Sequence, residues 1–278
     1  MNPAGGKALV LGLGDTGLSM AKWLSRLGAD VRVADTRATP PQLDALRREL
    51  PTVPAACGPL RDESFAGVDL IAISPGLPIA EPHVQRALAS GARAVGDIEL
   101  FARVLGAGER VIAITGTNGK TTVTSLAGAM ARAAGRDCEV AGNIGPPVLD
   151  ALMRREDSGK RPDLWVLELS SFQIADLEFA PRFGVVLNLF DEHLDWHGDR
   201  EIYHADKLRL LTIPPPCRAV LCGADPRLAA VGETLPQAPR WFGTPSTAAS
   251  PTKRYIATRV IPDARPRVSG RINWRCDQ

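Results

Sequence analysis

The 278-residue sequence lacks a paired-cysteine framework, a long apolar run and a strong charge of one sign, and each absence removes a class of protein. Its five cysteines, Cys57, Cys138, Cys217, Cys222 and Cys276, are an odd number without a C-x-x-C pair. Neither a disulfide scaffold nor a zinc ribbon is expected from them, and reduced thiols in the cytoplasm are the simpler reading. No apolar stretch approaches the roughly 20 residues that span a bilayer, and the chain enters its first strand without the apolar segment of a secretion signal, so no membrane partner is expected. The formal net charge is only +2. Residues 244–278 hold seven Lys or Arg against two Asp or Glu, which leaves the preceding body mildly acidic. Such a body gives no electrostatic case for a nucleic-acid partner, and the basic end is too short and irregular to supply one.

What is present is the composition of a soluble globular protein, 45% hydrophobic and 23% charged, in a chain long enough for two domains. Lys7–Leu11, 31–34 and Leu70–Ile73 read as strands, with a helix after Gly17 whose core face holds Leu18, Ala21, Trp23, Leu24 and Leu27, and a second helix over 81–90. A second alternation runs through strands at 111–114, 164–169, 184–189 and 219–221, with helices over 121–134 (apolar positions Val123, Leu126, Ala127 and Met130) and 202–211. Strands and helices alternating in this way predict parallel sheets with helices on their faces. The expected architecture is α/β. An N-terminal Rossmann-like parallel sheet (1–106) precedes an incomplete P-loop NTPase-like central domain (107–243), the two joined near Gly106-Ala-Gly108. An irregular basic tail (244–278), rich in proline and arginine, suits disorder better than a core.

The chemistry is concentrated at strand ends. Between the strand at 111–114 and the helix at 121–134 lie Gly116, Thr117, Asn118, Gly119, Lys120, Thr121 and Thr122. Glycines let the backbone curl around phosphate oxygens, the opening turn of the helix offers unpaired N–H groups, Lys120 reaches outer phosphates, and the Thr121 hydroxyl suits Mg²⁺. The two glycines are three apart rather than the five of the usual Walker loop; the alternative is a glycine turn that merely precedes Lys-Thr. Gly12, Gly14 and Gly17 form G-x-G-x-x-G, with Asp35 ending the next strand, the dinucleotide fingerprint. Alone it would suggest a nicotinamide oxidoreductase, or only a tight turn. Thr36 and Arg37 beside the acid, and a second phosphate loop downstream, favour a nucleotide-linked substrate in the first half and a triphosphate in the second. Glu168 ends the strand Leu164–Glu168, where a P-loop domain needs an oxygen ligand for its metal. His193, His197 and His204 could suggest zinc, but Gly198 and Asp199 break the helix that would pair the first two; His193, among Asp191, Glu192 and Asp195, fits a second divalent cation or a phosphate-facing role better. Lys207 reads, on periodicity, as an ordinary exposed lysine.

Seven motifs in order, Gly12–Ser19, Asp35-Thr36-Arg37, Ser74-Pro75-Gly76, Gly116–Thr122, Gly142-Asn-Ile-Gly145, Glu168–Gln173 and His193–Gly198, together resemble the Mur ligases over residues 7 to 243. The resemblance implies an ATP- and Mg²⁺-dependent ligase of peptidoglycan precursor synthesis, acting as a monomer on UDP-N-acetylmuramoyl-L-alanine and D-glutamate through an acyl phosphate. It implies that Lys120 and Thr121 handle the γ-phosphate and Mg²⁺, and that Thr121, Glu168, His193 and a CO₂-carbamylated Lys207 hold metal, with Lys120, His193 and Lys207 catalytic. Asn143 and His193 would touch the substrate, whose uridine diphosphate would lie on Gly14, Thr16, Asp35, Thr36, Arg37 and Gly76. Three departures are visible. The family's third domain and its late Arg-Gly-Arg-His-Asn segment are not found, Cys222 stands where relatives carry asparagine, and residues 244–278 read as truncated or out-of-frame coding sequence. The resemblance therefore implies impaired turnover, with a non-catalytic UDP-substrate-binding fragment as the alternative.

Overall fold

The computed structural model of the chain describes residues 5–77, 79–106, 108–190, 192 and 199–243. Two all-parallel sheets, each flanked by helices, account for them. The first is built from β1 (Lys7–Leu11), α1 (Asp15–Arg26), β2 (Asp30–Asp35), α2 (Leu43–Glu49), β3 (Ala55–Cys57), α3 (Asp62–Phe65), β4 (Leu70–Ile73), α4 (Pro82–Ala89) and β5 (Arg93–Val95). Its strand order is β3-β2-β1-β4-β5, so the order reverses direction between β1 and β4. Continuous apolar runs make the central strands: Ala8 to Leu11 are at most 2% exposed, as expected for strands covered on both faces. On α1, Leu18, Ala21, Trp23 and Leu24 are buried as the helical period requires, whereas Leu27, at the C-cap, is only half-buried.

After α5 (Asp97–Ala102) the second sheet begins at β6 (Arg110–Thr115), and residues 106–108 lie between the two. It continues through α6 (Lys120–Ala133), β7 (Cys138–Gly142), α7 (Val148–Asp157), β8 (Leu164–Glu168), α8 (Ser171–Ala175), β9 (Phe183–Val186), α9 (Arg200–Arg209), β10 (Arg218–Cys222), α10 (Pro226–Thr234) and β11 (Arg240–Phe242), in the order β11-β10-β9-β6-β8-β7. The expected face of α6 holds in part: Val123 and Ala127 pack half-buried against the core and Leu126 is half-buried, but Met130 is not on it. Met130 is 60% exposed, and the buried positions are Thr124 and Gly128. Gly128 has no room for a side chain, because a Cβ there would lie 2.2 Å from the Val140 side chain. The helix therefore seats Thr124 and Gly128 closest to the sheet, with Val123 and Ala127 packed beside them.

One apolar cluster runs through both halves, joining Met20 and Leu24 of α1, Ile98 and Phe101 of α5, Leu149 and Leu152 of α7, and Trp165 of β8. Phe101 and Trp165 meet edge to face at 4.8 Å between ring centres, a geometry favoured by the ring quadrupoles. Lys22–Asp150 at 3.2 Å and Arg26–Asp157 at 2.7 Å decorate the same joint. Such solvent-facing pairs contribute little, so burial of the aromatic and aliphatic groups holds the two sheets together. No helix among the described residues is long and apolar enough to cross a membrane.

Candidate functional site

In an open parallel sheet, loops at the carboxyl ends of the strands share one edge, and the reversal point opens a crevice there. In the first sheet this edge gathers Gly12–Gly17 after β1, Asp35–Arg37 at the end of β2 and Ser74–Gly76 after β4, on three neighbouring strands. Two of the three fingerprint glycines answer to packing. Gly12 has φ 92°, and a Cβ on Gly17 would lie 1.9 Å from the Gly12 carbonyl oxygen, so α1 can close on the loop only if residue 17 is glycine. Gly14 is different: a Cβ there would meet nothing within 4 Å, and no side chain caps the helix it opens. The open space and uncapped turn lie where a diphosphate could approach.

Asp35, 2% exposed, holds this edge together. Its Oδ2 accepts the Leu13 N–H at 2.6 Å and Arg37 Nη2 at 2.6 Å, and its Oδ1 accepts Arg37 N and Nε, both at 2.8 Å. Burial by itself would raise the carboxyl pKa; the hydrogen bonds from Arg37 and from the Leu13 and Arg37 amides outweigh it and leave the pKa below its usual value. The carboxylate thus fixes both the glycine loop and the Arg37 guanidinium, which stays half-exposed and faces solvent. Thr36 is exposed and Thr16 half-buried.

The second sheet repeats the plan with the opposite charge. The loop after β6 is flanked by the end of β8 on one side and the end of β9 on the other. Lys120 Nζ donates to the carbonyls of Gly116 at 3.0 Å and Thr117 at 2.8 Å. Lys207 is not the exposed lysine its helical period suggests. It is 2% exposed, its Nζ donates to the same Gly116 carbonyl at 3.2 Å, and it stands 4.7 Å from the centre of the Tyr203 ring. The physical reason is that α9 packs its buried side against the loop, so Tyr203 and Lys207, one turn apart, both reach it. Burial, and then the nearby charge of Lys120, pull the Lys207 pKa down to about 7. An amine so placed is neutral far more often than a surface lysine.

Thr121 and Glu168 are brought together: the Thr121 hydroxyl donates to Glu168 Oε2 at 2.9 Å. Glu168 Oε1 accepts Asn143 Nδ2 at 2.8 Å, and the Asn143 amide N–H donates to the Glu168 carbonyl at 2.9 Å. This close approach of β7 to β8 requires Gly142, where a Cβ would lie 2.4 Å from the Glu168 carbonyl oxygen. Glu168 is 2% exposed and has no basic partner among the described residues. A buried carboxylate beside a hydroxyl, without a cation from the protein, is a hard-oxygen donor set that suits Mg²⁺. Gly119, at φ 78°, caps α6 without a side chain, and Thr122 follows on its exposed first turn. His193 and His197, with Asp191 and Asp195, lie outside the described residues; His204 is half-buried on α9. The two edges meet at a cleft lined by Ser74, Gly76, Asp97, Gln173 and Asp176.

Four participants escaped the sequence reading. Asn188 pairs with the loop backbone, Tyr203 sets its hydroxyl 3.3 Å from Thr117 Oγ1, and Asp225 caps α10 while accepting the Leu189 N–H at 3.0 Å. Asp97, 2% exposed, accepts both N–H bonds from Gln173 Nε2 at 3.1 and 3.3 Å, across the joint between the sheets. For Asn188, Asp225 and Asp97 the signal was a polar residue two or three positions past a strand; Tyr203, inside α9, had none. Cys222 is fully buried and offers no surface to a ligand.

Comparison with known proteins gives two family matches: "Mur ligase MurD-like, N-terminal domain" over residues 6–96 and "Mur ligase middle domain" over residues 114–256. The chain is 52% identical over 240 residues to the UDP-N-acetylmuramoylalanine–D-glutamate ligase of Nitrosomonas europaea, covering 84% of this chain and 51% of that protein. It is 53% identical over 234 residues to the ligase of the same name from Nitrosospira multiformis, covering 81% and 49%. The chain thus spans about half the length of the curated relatives it matches. Among solved structures, the UDP-N-acetylmuramate:L-alanyl-gamma-D-glutamyl-meso-diaminopimelate ligase from Neisseria meningitides superposes with TM-score 0.60 at 18% identity, over 87% of this chain and 79% of that one, a likeness of fold.

Proposed function

Because the chain belongs to the Mur ligase family, we propose that it carries the nucleotide-substrate and ATP sites of a ligase that joins D-glutamate to UDP-N-acetylmuramoyl-L-alanine. The observation that carries this reading is the convergence of Lys120 and Lys207 on the Gly116 carbonyl, beside the Thr121–Glu168 pair. That places two amines, a hydroxyl and a buried carboxylate around one glycine loop, a set suited to a phosphate chain and its metal. In this reading residues 1–106 take the UDP-linked substrate and residues 107–243 take ATP. Gly14, Thr16 and Gly76 receive the diphosphate and sugar, and Asp35 aims Arg37 while Thr36 lies beside it at the uridine end. By the family likeness, Asn143 and His193 would serve the acyl end.

The phosphates of ATP would lie along Gly116, Thr117, Asn118, Gly119, Lys120, Thr121 and Thr122. Mg²⁺ would be held by Thr121 and Glu168, joined by His193 and by Lys207 once its neutral amine has added to CO₂ with loss of a proton. The metal supplies charge neutralisation on the phosphates. A carboxylate is a poor acyl donor. Its oxygen attacks the γ-phosphorus and ADP departs; the amine of D-glutamate then attacks the acyl carbon, phosphate departs and the nitrogen loses a proton. Lys120 offsets charge on the transferring group. In this reading the enzyme works as a monomer in the cytoplasm. A second reading, capture of the UDP-substrate without turnover, rests on the first edge alone, where Asp35 fixes the glycine loop and Arg37.

Calorimetric titration separates the parts. Arg37→Ala is expected to weaken UDP-N-acetylmuramoyl-L-alanine binding about tenfold or more, and Lys120→Ala to weaken ATP binding by about tenfold to a hundredfold, each leaving the other ligand unaffected. Phosphate release in the presence of both substrates, ATP and Mg²⁺ tells ligase from binder. Undiminished ATP affinity in Lys120→Ala would falsify the ATP site.

A further inference from the structure

We propose that Asn188 is the positioning residue that holds the phosphate loop in its receptive shape and decides which of its amides face a triphosphate; this rests on the ATP reading above. Asn188 lies two residues past the end of β9. Its Oδ1 accepts the Asn118 N–H at 2.8 Å and its Nδ2 donates to the Asn118 carbonyl at 3.1 Å, a two-way pairing between one side-chain amide and the backbone of one residue. Its own carbonyl accepts the Thr117 N–H at 3.2 Å, and one residue earlier the Leu187 N–H reaches the Thr115 carbonyl at 3.0 Å. The β6–β9 pairing is in effect carried three residues into the glycine loop, the last step by a side chain. The Thr117 hydroxyl is bound in the same way, donating to the Phe190 carbonyl at 3.1 Å and accepting the Phe190 N–H at 2.9 Å. The strap 188–190 is itself fastened from the far side, Leu189 N–H to Asp225 and the Leu189 carbonyl to Arg227.

The consequence is chemical. With the N–H groups of Thr117 and Asn118 taken up by Asn188, the donors left to an anion are those of Gly119 and the first turn of α6, together with Lys120. Only a side-chain amide carries both a donor and an acceptor at this reach; an aspartate would accept the Asn118 N–H but set its charge against the Asn118 carbonyl and the incoming phosphates. The test uses the full chain with Mg²⁺ and compares wild type, Asn188→Ala and Asn188→Asp in ATP affinity, melting temperature and amide hydrogen exchange at Asn118. ATP affinity is expected to fall about tenfold in the alanine variant and further in the aspartate variant. Melting temperatures should move little, and exchange at Asn118 should stay slow in wild type with or without ATP. An alanine variant that binds ATP as tightly as wild type, or more tightly, overturns the proposal, since Asn188 would then merely occupy an amide meant for phosphate. Loss of ATP affinity that only tracks a fall in melting temperature overturns it too. A wild type that binds no ATP removes the ATP reading itself, and this inference with it.

Discussion

The two glycine loops are built on one plan and tuned in opposite directions. After β1 the loop is governed by an acid: Asp35 binds the Leu13 amide and aims Arg37 outward. After β6 it is governed by amines and an amide: Lys120 and Lys207 meet at the Gly116 carbonyl, and Asn188 fixes Asn118. Glycine spacing alone does not distinguish them, since in both loops some glycines serve packing. A Cβ on Gly17 would strike the Gly12 carbonyl, and one on Gly116 would come within 2.9 Å of the Leu187 Cβ. The difference is set by what the neighbouring strand ends contribute, Asp35 from β2 in one case and Glu168 and Asn188 from β8 and β9 in the other. A nucleotide loop is specified by its neighbours as much as by its own residues.

If glycine packing is common to both loops, breaking it should cost the fold before it costs a ligand. Gly17→Ala sets a Cβ 1.9 Å from a backbone oxygen that cannot rotate away, and is expected to destabilise by about 3 kcal/mol or more in urea unfolding. A variant of native stability would mean that α1 is free to move off its loop.

The joint between the sheets offers a test of whether the two edges act as one site. Burial pushes the Asp97 carboxyl up to about 6, against the downward pull of Gln173 and of nearby amides. The native state therefore keeps this proton to a higher pH than the unfolded chain, where the carboxyl titrates near 4. Stability should fall as pH rises through that window, with the penalty complete above about 6 and worth up to about 3 kcal/mol. Asp97→Asn should flatten the wild-type slope between pH 4 and 7, read from urea midpoints at several pH values. An unchanged slope would show that the carboxylate stays ionised and that the cleft is wetter than its burial suggests. Asp35 has the opposite sign. Its lowered pKa gives stability that is present above pH 4 and lost as pH falls through the native value, and Asp35→Asn should cost about 1–2 kcal/mol at neutral pH while loosening Arg37. A neutral outcome would sever the acid from the loop it is said to govern.

The two parallel sheets were legible because strands such as Leu9–Leu11 and Val111–Ile114 are unbroken apolar runs, which period and length identify without help from the rest of the chain. Ala55–Cys57, Arg93–Val95, Cys138–Gly142 and Arg240–Phe242 were not, being short, or half-polar, and placed as strands only by ladders to distant partners. The glycine loops, Asp35 and Glu168 were visible as types at strand ends. Their roles were less so: that Asp35 binds its own loop depends on how β1 lies beside β2. Lys207 shows the limit most sharply, because α9 is polar nearly all round and only its docking under Gly116, 91 residues away in sequence, makes this lysine a buried one. Asn188 and Asn118 are 70 residues apart, and no local pattern joins them.

The smallest expected effect on the fold is the most discriminating. Gly14 has φ −91°, an angle any residue adopts, and no neighbour within 4 Å of a built Cβ. Replacing it by alanine removes unfolded-chain freedom but adds a poorer cap to α1, two terms of about 0.5 kcal/mol that oppose one another. Stability should hardly change. If this glycine exists to let a diphosphate approach the opening turn of α1, Gly14→Ala should nonetheless weaken binding of the UDP-linked substrate several-fold, while ATP affinity on the second edge stays put. Gly17→Ala and Gly14→Ala then separate the two duties of one fingerprint, the first losing the fold and the second only the ligand. A Gly14→Ala protein with full substrate affinity would place the diphosphate away from this turn and leave the first loop with packing as its sole purpose.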